Sequence, residues 1–230
     1  MNNFLEHVPV LLDEILENTN CEVYGFDRDP EVLKYANRLK ESYKKRFNFF
    51  QKKFSEIDHM LSKQNFSKKK IKGMIFDLGV SNLQLTKKSR GFSFKLDGPL
   101  DMRMSKKGIK ALDIINNYSA EKLADIIYKF GDEVFSRRVA RHIVKSREIN
   151  PITSTLELAE IIRKAIPGKK KKIDKATKSF QAIRMFINDE IDELNKGLIT
   201  SEKFLTYGGI LCVVSFHSKE ERIVKNFLNI

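Results

Sequence analysis

The sequence predicts a mixed α/β protein in which a mostly parallel sheet is interrupted by a helical insertion. Short apolar runs of strand length recur along the chain, helical patterns separate them, and the middle of the chain holds no convincing strand. The 230 residues suit one domain with an insertion and can bury a substantial core.

The first predicted strand covers residues 22–27 and ends in Asp27, and a helix follows from about Pro30. An acid between a strand and a helix commonly binds ribose hydroxyls, because a carboxylate accepts two hydrogen bonds from a vicinal diol. Asp27 or Asp29 is equally well placed to cap the helix, and the spacing leaves both interpretations open.

Three further strands are predicted from short apolar runs at residues 47–50, 71–77 and 211–216. The turn pair Gly208-Gly209 precedes the last of them. Asp77 ends the third strand and leads into a flexible loop where a reacting group would meet a cofactor, with an ordinary turn as the alternative. Right-handed crossovers would place Asp27 and Asp77 along one carboxyl edge, where open α/β sheets bind ligands.

Residues 102–178 are predicted to form the helical insertion, with helical patterns at residues 120–130, 133–146 and 155–165. The helix after Gly131 carries basic residues at i, i+4 and i+8, namely Arg137, Arg141 and Lys145. The opposite face of the same helix is apolar and consists of Phe135, Val139 and Ile143.

The densest basic segment covers residues 163–184, which contain nine Lys or Arg and one acid. At its centre, beside the helix breaker Pro167-Gly168, four basic side chains follow one another: Lys169, Lys170, Lys171 and Lys172. Either basic surface alone has a solvated face as its alternative, but two within one insertion favour a polyanion-binding site.

The overall charge points to the same class of partner. The formal net charge is +13 and the sequence pI is about 9.6, which favours nucleic acid. No apolar run approaches the roughly 18 residues that span a bilayer, and no signal peptide opens the chain. Because of this we expect no membrane partner. Two cysteines cannot build a disulfide framework, so we expect a reducing compartment.

Several common chemistries find little support in the residue patterns. The four histidines show no metal-ligand spacing, so no metal is expected. A G-x-S-x-G elbow is absent, which weakens a hydrolase interpretation. No G-x-G occurs anywhere, and Gly25 is the only glycine before residue 71, although a nucleotide cofactor usually needs a glycine-rich turn after the first strand.

Longer strings identify a family. In chain order they are HVPVLLDE (7–14), FDRDP (26–30), FDLGVSNLQL (76–85), RGFSFKLDGPLDMRM (90–104), FSRRVARHIV (135–144), KATKSFQAIR (175–184) and VVSFHSKEERIVK (213–225). Together they closely resemble the bacterial S-adenosylmethionine-dependent methyltransferases that modify N4 of a cytosine in small-subunit (16S) ribosomal RNA. The resemblance implies a doubly wound, Rossmann-like methyltransferase core at residues 1–101 and 179–230, with residues 102–178 as an inserted RNA-recognition domain.

The resemblance also implies residue roles. S-adenosylmethionine would contact Asp27 through its ribose, Phe54 near its adenine, and Asp77 with Gln84 on the methionine and reaction side. Asp77 is the candidate catalytic residue, as an acceptor for the N–H groups of the target amine, and nearby loop carbonyls are the alternative acceptors. Ribosomal RNA is the implied partner and the bacterial cytoplasm the implied location, while a homodimer is left open.

Two departures from the family pattern lead to a further expectation. Family members have a first strand and a glycine-rich loop of the type D-x-T-x-G-x-G-G-H before the strand that ends in DRDP. In this chain only residues 18–21 separate Glu17 from that strand, so the first strand and the loop are missing. The strands at 22–27 and 71–77 would then either pair directly, about 4.8 Å apart, or leave a gap in the sheet. The family pattern also continues past the position of Ile230. The alternative function is therefore a truncated, catalytically impaired remnant that binds RNA without methyl transfer.

Overall fold

The computed structural model describes residues 15, 17, 20–63, 71–169 and 172–229. The chain divides into two compact units, which we call the strand-bearing unit and the helical unit. The strand-bearing unit consists of Met1–Gly79 with Glu190–Ile230, and the helical unit is Val80–Asp189. The helical unit is wider at both ends than the insertion that the sequence places at residues 102–178.

The strands and α-helices described are, in chain order, β1 (Val23–Phe26), α1 (Leu33–Tyr43), β2 (Phe47–Phe50), α2 (Ile57–Lys63), β3 (Ile71–Asp77), α3 (Asn82–Thr86), α4 (Ala111–Asn117), α5 (Ala120–Gly131), α6 (Ser136–Arg147), α7 (Thr155–Ala165), α8 (Thr177–Ile187), α9 (Glu190–Phe204), β4 (Leu205–Val214) and α10 (Ser218–Leu228). Among these residues, no helix has the length and apolar character needed to cross a membrane.

The four strands form two separate parallel ladders. β1 pairs with β2 from Val23↔Phe47 to Phe26↔Phe50, and β3 pairs with β4 up to Asp77↔Val214. No ladder joins β1 to β3 within the described part of the chain. The parallel pairing expected from the strand–helix alternation is therefore present. Direct pairing of β1 with β3, one of the two expected arrangements, is not seen among the described residues.

The fourth strand is longer than the sequence indicates. It begins at Leu205 rather than at residue 211, so the Gly208-Gly209 pair lies inside β4 and is not a turn before it. The register jumps from Ile71↔Leu205 to Gly73↔Ile210, which leaves extra residues on β4 as a bulge. Gly208 has a φ of +74°, and this conformation explains why glycine occupies the bulge.

Each ladder of the strand-bearing unit packs against its own apolar cluster, and a third cluster, centred on Leu61 and Phe204, includes residues of both ladders. Beside β1 and β2, Ala36 and Phe47 are buried at 3% exposure each. Beside β3 and β4, Phe76 packs with Leu194 and Leu198 of α9. Burying a side chain of this size contributes about 1.5–3 kcal/mol relative to leaving it in water, so α9 is held firmly against β3.

The helical unit has one continuous core, to which five of its helices contribute. Its members without measurable exposure include Ile114, Ile115, Leu123, Ile127, Val139, Ile143, Leu158, Ile162 and Ile183. Gly131 allows α5 and α8 to approach closely, because a Cβ there would lie 2.5 Å from the carbonyl oxygen of Lys178. This core keeps the exposed face of α6 on a rigid support.

The segment before α4 explains why the helical unit begins well before residue 102. The side chain of Arg90 is buried and donates hydrogen bonds to the carbonyl oxygens of Arg103 and Met104, each at 2.9 Å. The backbone N–H of Met104 donates to Asn188 Oδ1 at 2.8 Å. These hydrogen bonds hold the RGFSFKLDGPLDMRM segment (90–104) within the helical unit, together with Asn188, which follows α8.

An ion pair stabilises the end of the same string. Arg103 donates to both carboxylate oxygens of Asp101, at 2.9 and 2.7 Å. Burial acts to raise the pKa of Asp101, but the hydrogen bonds from Arg103 outweigh it and hold the pKa below its ordinary value. These contacts give the most distinctive string of the sequence a structural role within its own unit.

Candidate functional site

Asp27 lies directly after β1, where the ladder with β2 ends. Its backbone N–H donates to Phe50 O at 3.3 Å, and the N–H of Lys52 donates to Asp27 O at 3.1 Å. Its half-buried carboxylate accepts the N–H of Asp29 at 2.7 Å. Asp29 is buried and caps the next turn by accepting the N–H of Glu31 at 3.0 Å. The capping role therefore belongs to Asp29, and Asp27 orders the turn that leads to it.

Asp77 is the last residue of β3, and its side chain is exposed. The register pairs it with Val214, and the next N–H, that of Leu78, donates to Val214 O at 3.1 Å. Gly79 follows with a φ of +87°, and a Cβ there would lie 3.3 Å from the ring of Phe216. The residues that follow β3 and β4 therefore lie side by side at one carboxyl edge.

Phe54 packs between β3 and α9. Its ring stacks on that of Phe76 with 5.1 Å between the centroids, and Gly197 lies so close that a Cβ would be 3.4 Å from Phe54. Glu193 of α9 fixes the adjoining turn by accepting hydrogen bonds from the N–H and Oγ of Ser55, at 2.9 and 3.0 Å. The contacts give Phe54 a role in packing, and its contact with adenine stays a prediction.

Gln84 is buried in the helical unit and closes the first turn of α3. Its Oε1 accepts the N–H of Ser81 at 3.1 Å, while Ser81 Oγ accepts the N–H of Gln84 at 3.3 Å. This reciprocal pair is a capping box. Gln84 thus has a local structural role, and its proposed contact with the cofactor stays a prediction.

The basic face of α6 is exposed as the sequence predicts. Arg137, Arg141 and Lys145 are exposed, and Val139 and Ile143 on the opposite face are buried. Phe135 differs from the prediction, since it precedes the helix and is 38% exposed. The helix therefore presents the three predicted cations to solvent.

The second basic segment is only partly available to a ligand. Lys169 and Lys172 are exposed, while Lys170 and Lys171 lie outside the described residues. Arg163 instead pairs with Asp174 at 2.9 Å, and Lys175 Nζ donates to Ile166 O at 2.8 Å. Several of the charges counted in the sequence therefore hold the unit's own loops.

Three side chains of types that commonly bind metal ions, none of them a predicted site residue, meet near the end of β4. One potential ligand atom from each of Glu190, His217 and Glu220 lies within 4.8 Å of the others. We call these residues the Glu–His–Glu cluster. His217 and Glu220 have an i, i+3 spacing that a search for ligand pairs could have found, whereas Glu190 comes from α9, far away in the sequence.

The MraW methylase family matches residues 6–230 of this chain. The chain belongs to this family. It is 50% identical over 219 residues to the ribosomal RNA small subunit methyltransferase H of Orientia tsutsugamushi (strain Boryong), covering 94% of this chain and 69% of that protein. It is 51% identical over 213 residues to the protein of the same name from Rickettsia canadensis (strain McKiel), covering 93% and 68%.

Membership of a methylase family implies a methyl donor, and the sequence resemblance specifies S-adenosylmethionine. Asp27 fits the ribose end of that molecule, because it offers a half-buried carboxylate at the end of a strand. The methionine end has no matching glycine-rich turn. Gly25 lies inside β1, where a Cβ would be 3.2 Å from the ring of Phe47, so it serves packing. The described residues therefore offer a candidate contact for the ribose end of the cofactor and no glycine-rich turn for its methionine end.

Proposed function

We propose that this chain methylates N4 of a cytosine in small-subunit ribosomal RNA, with S-adenosylmethionine as methyl donor. The observation that carries this proposal is the family match over residues 6–230, which spans both units. The relatives are named as methyltransferases of small-subunit ribosomal RNA. The exposed cations of the helical unit support an RNA substrate.

The target amine sets the chemical task of the site. The N4 lone pair of cytosine is delocalised into the ring, so the amine is a poor nucleophile and must be oriented with the base out of its stack. Asp77 is a suitable acceptor for the amine N–H groups, because it is exposed at the carboxyl edge where ligands bind in open α/β sheets. In this proposal Asp77 orients the amine while the basic surfaces hold the RNA backbone.

The proposal is tested by incubating the purified chain with small-subunit RNA and isotopically labelled S-adenosylmethionine, followed by mass spectrometry of the nucleosides. We expect labelled N4-methylcytidine, and a rate about a hundredfold lower for Asp77→Ala. Asp192→Ala is the matched control, since Asp192 is an exposed acid of the same unit that pairs with Lys196. RNA binding without any transfer of label would contradict the proposal and favour the catalytically impaired remnant.

The basic segment is expected to bind RNA through phosphate contacts. Replacing Lys169, Lys170, Lys171 and Lys172 with Gln is expected to weaken RNA binding. Each lost phosphate contact would flatten the slope of log affinity against log salt by about 0.7–0.9. Binding is measured by fluorescence anisotropy over a range of salt concentrations.

The matched control removes the same charge from the strand-bearing unit, by replacing four exposed lysines with Gln: Lys34, Lys40, Lys44 and Lys45. We expect the control to leave the salt slope nearly unchanged. Equal slopes for the two variants would show that total charge, rather than this segment, determines RNA affinity.

A further inference from the structure

We propose that the Glu–His–Glu cluster binds one divalent transition-metal ion. All three residues belong to the strand-bearing unit, and two of its helices supply them. Glu190 begins α9, while His217 is the N-cap of α10 and Glu220 lies in its first turn. An ion bound here would link the first residues of these two helices. His217 follows Val214, the residue of β4 that pairs with Asp77, by three positions.

The distances suit shared coordination of one ion. His217 Nε2 lies 3.0 Å from Glu220 Oε1, and the three candidate ligand atoms are all within 4.8 Å of one another. Ligand atoms about 2.1 Å from a common ion are separated by about 3.0 to 4.2 Å in an octahedral site and by about 3.4 Å in a tetrahedral one. Small side-chain adjustments therefore bring all three to one ion.

The second observation is a buried nitrogen without a hydrogen bond. His217 Nε2 is buried and makes no hydrogen bond of acceptable geometry, although Glu220 Oε1 is only 3.0 Å away. The distance is short but the direction is wrong for N–H donation. Leaving a buried polar atom without a partner is unfavourable. A cation between the nitrogen and the carboxylates would satisfy it.

The local charge also favours a cation. Two helix N-termini contribute roughly half a positive charge each, and the carboxylates of Glu190 and Glu220 contribute two negative charges. With a neutral imidazole the cluster therefore carries a net charge of about −1. The Glu220 side chain is only 4% exposed, so this charge is weakly screened by water.

One hydrogen bond of the cluster must change when the ion binds. His217 Nδ1 accepts the N–H of Glu220 at 3.3 Å, which places the proton of a neutral ring on Nε2. Binding through Nε2 moves that proton to Nδ1 and breaks this contact, which is long for a hydrogen bond. The backbone N–H of Glu220 is therefore expected to exchange faster with solvent when the ion is bound.

The ligand set indicates the class of ion. Imidazole nitrogen suits zinc and iron, and carboxylate oxygen suits manganese and magnesium, so one nitrogen with two carboxylates accepts Zn²⁺ or Mn²⁺. Sites of this kind bind Zn²⁺ more tightly than Mn²⁺. We therefore expect one ion per chain, with the affinity for Zn²⁺ exceeding that for Mn²⁺ and both exceeding that for Mg²⁺.

The test is calorimetric titration of the untagged, metal-free chain with Zn²⁺, Mn²⁺ and Mg²⁺ separately. Glu190→Gln is expected to lower the Zn²⁺ affinity by about tenfold or more. Glu221→Gln is the matched control: Glu221 lies on the same helix, is exposed, and pairs with Lys225 at 2.7 Å. We expect this variant to bind the ion as the unmodified chain does.

NMR of the unmodified chain gives a second measurement that does not depend on a variant folding. Zn²⁺ is expected to shift the imidazole signals of His217 and to leave those of His142 unchanged, because His142 lies in the helical unit. Absence of binding at millimolar Zn²⁺ would overturn the proposal. Equal affinity in the unmodified chain and Glu190→Gln, or a shift at His142 and none at His217, would also overturn it.

Discussion

S-adenosylmethionine is expected to bind this chain ten to a thousand times more weakly than it binds a version that carries the missing strand and glycine loop. The amino acid end of the cofactor needs backbone groups at close range, and only glycine allows that approach. The sequence contains no G-x-G, and its one early glycine, Gly25, packs against Phe47 inside β1. Two or three lost polar contacts, each about 1–1.5 kcal/mol, would weaken binding by about 30- to 2,000-fold, which is of this order.

The lack of a described ladder between β1 and β3 adds to this expectation. β1 pairs with β2 and β3 pairs with β4, and no described ladder connects the two pairs. A strand between them would fix the distance from Asp27 to Asp77 at about two strand spacings, roughly 9.6 Å. Without it, no ladder among the described residues sets that distance.

The experiment compares three proteins by calorimetric titration with S-adenosylmethionine. They are the chain itself, a variant with a family-type strand and glycine loop inserted after Glu17, and the same insertion with each loop glycine replaced by Ala. Recovery of affinity only in the second protein is the expected result. Micromolar binding by the unmodified chain would show that the missing loop is not needed.

The strands were predictable because each contains a short apolar run, and the runs of β1 and β3 lead into an acid. β1, β2 and β3 lie within one residue of their predicted limits. β4 was placed too late, because Gly208 and Gly209 indicate a turn in sequence and form a bulge in the structure. A bulge depends on the register with β3, and no local pattern in β4 shows that register.

The limits of the helical unit depend on contacts between distant residues. An arginine is ordinarily expected at the surface, yet Arg90 is only 3% exposed. Its burial is possible because the carbonyl oxygens of Arg103 and Met104 accept its hydrogen bonds. Asn188 reaches the same segment through the N–H of Met104. Such long-range pairs leave no periodic signal, so the sequence could place the helices but not the ends of their unit.

The candidate site was predictable where it depends on local sequence and not where it depends on packing between distant residues. Strand-end acids are visible in sequence, and the structure places Asp27 and Asp77 where their strands end. Spacing could not decide whether Asp27 or Asp29 caps the helix, because both precede Pro30. The structure assigns the cap to Asp29, which is 1% exposed and accepts the N–H of Glu31. The Glu–His–Glu cluster requires α9 to pack near α10, which only the fold shows.

Asp27→Asn is expected to lower the affinity for S-adenosylmethionine by about tenfold while costing at most about 1 kcal/mol of stability. The amide of Asn keeps an oxygen that can accept the N–H of Asp29, so the turn after β1 survives. The variant loses the negative charge that strengthens hydrogen bonds from ribose hydroxyls. Titration on the glycine-loop insertion variant gives affinities high enough to compare, and urea denaturation gives the free energies of unfolding.

Asp29→Ala is the matched control for Asp27→Asn, since it removes the buried cap two residues away. We expect it to lower the free energy of unfolding by about 0.5–2 kcal/mol and to leave the cofactor affinity of the folded fraction unchanged. The two variants therefore separate binding from capping, because each is expected to change one quantity. If Asp27→Asn destabilised the fold as Asp29→Ala does, with affinity unchanged, Asp27 would be a structural residue of the turn and the ribose assignment would be wrong.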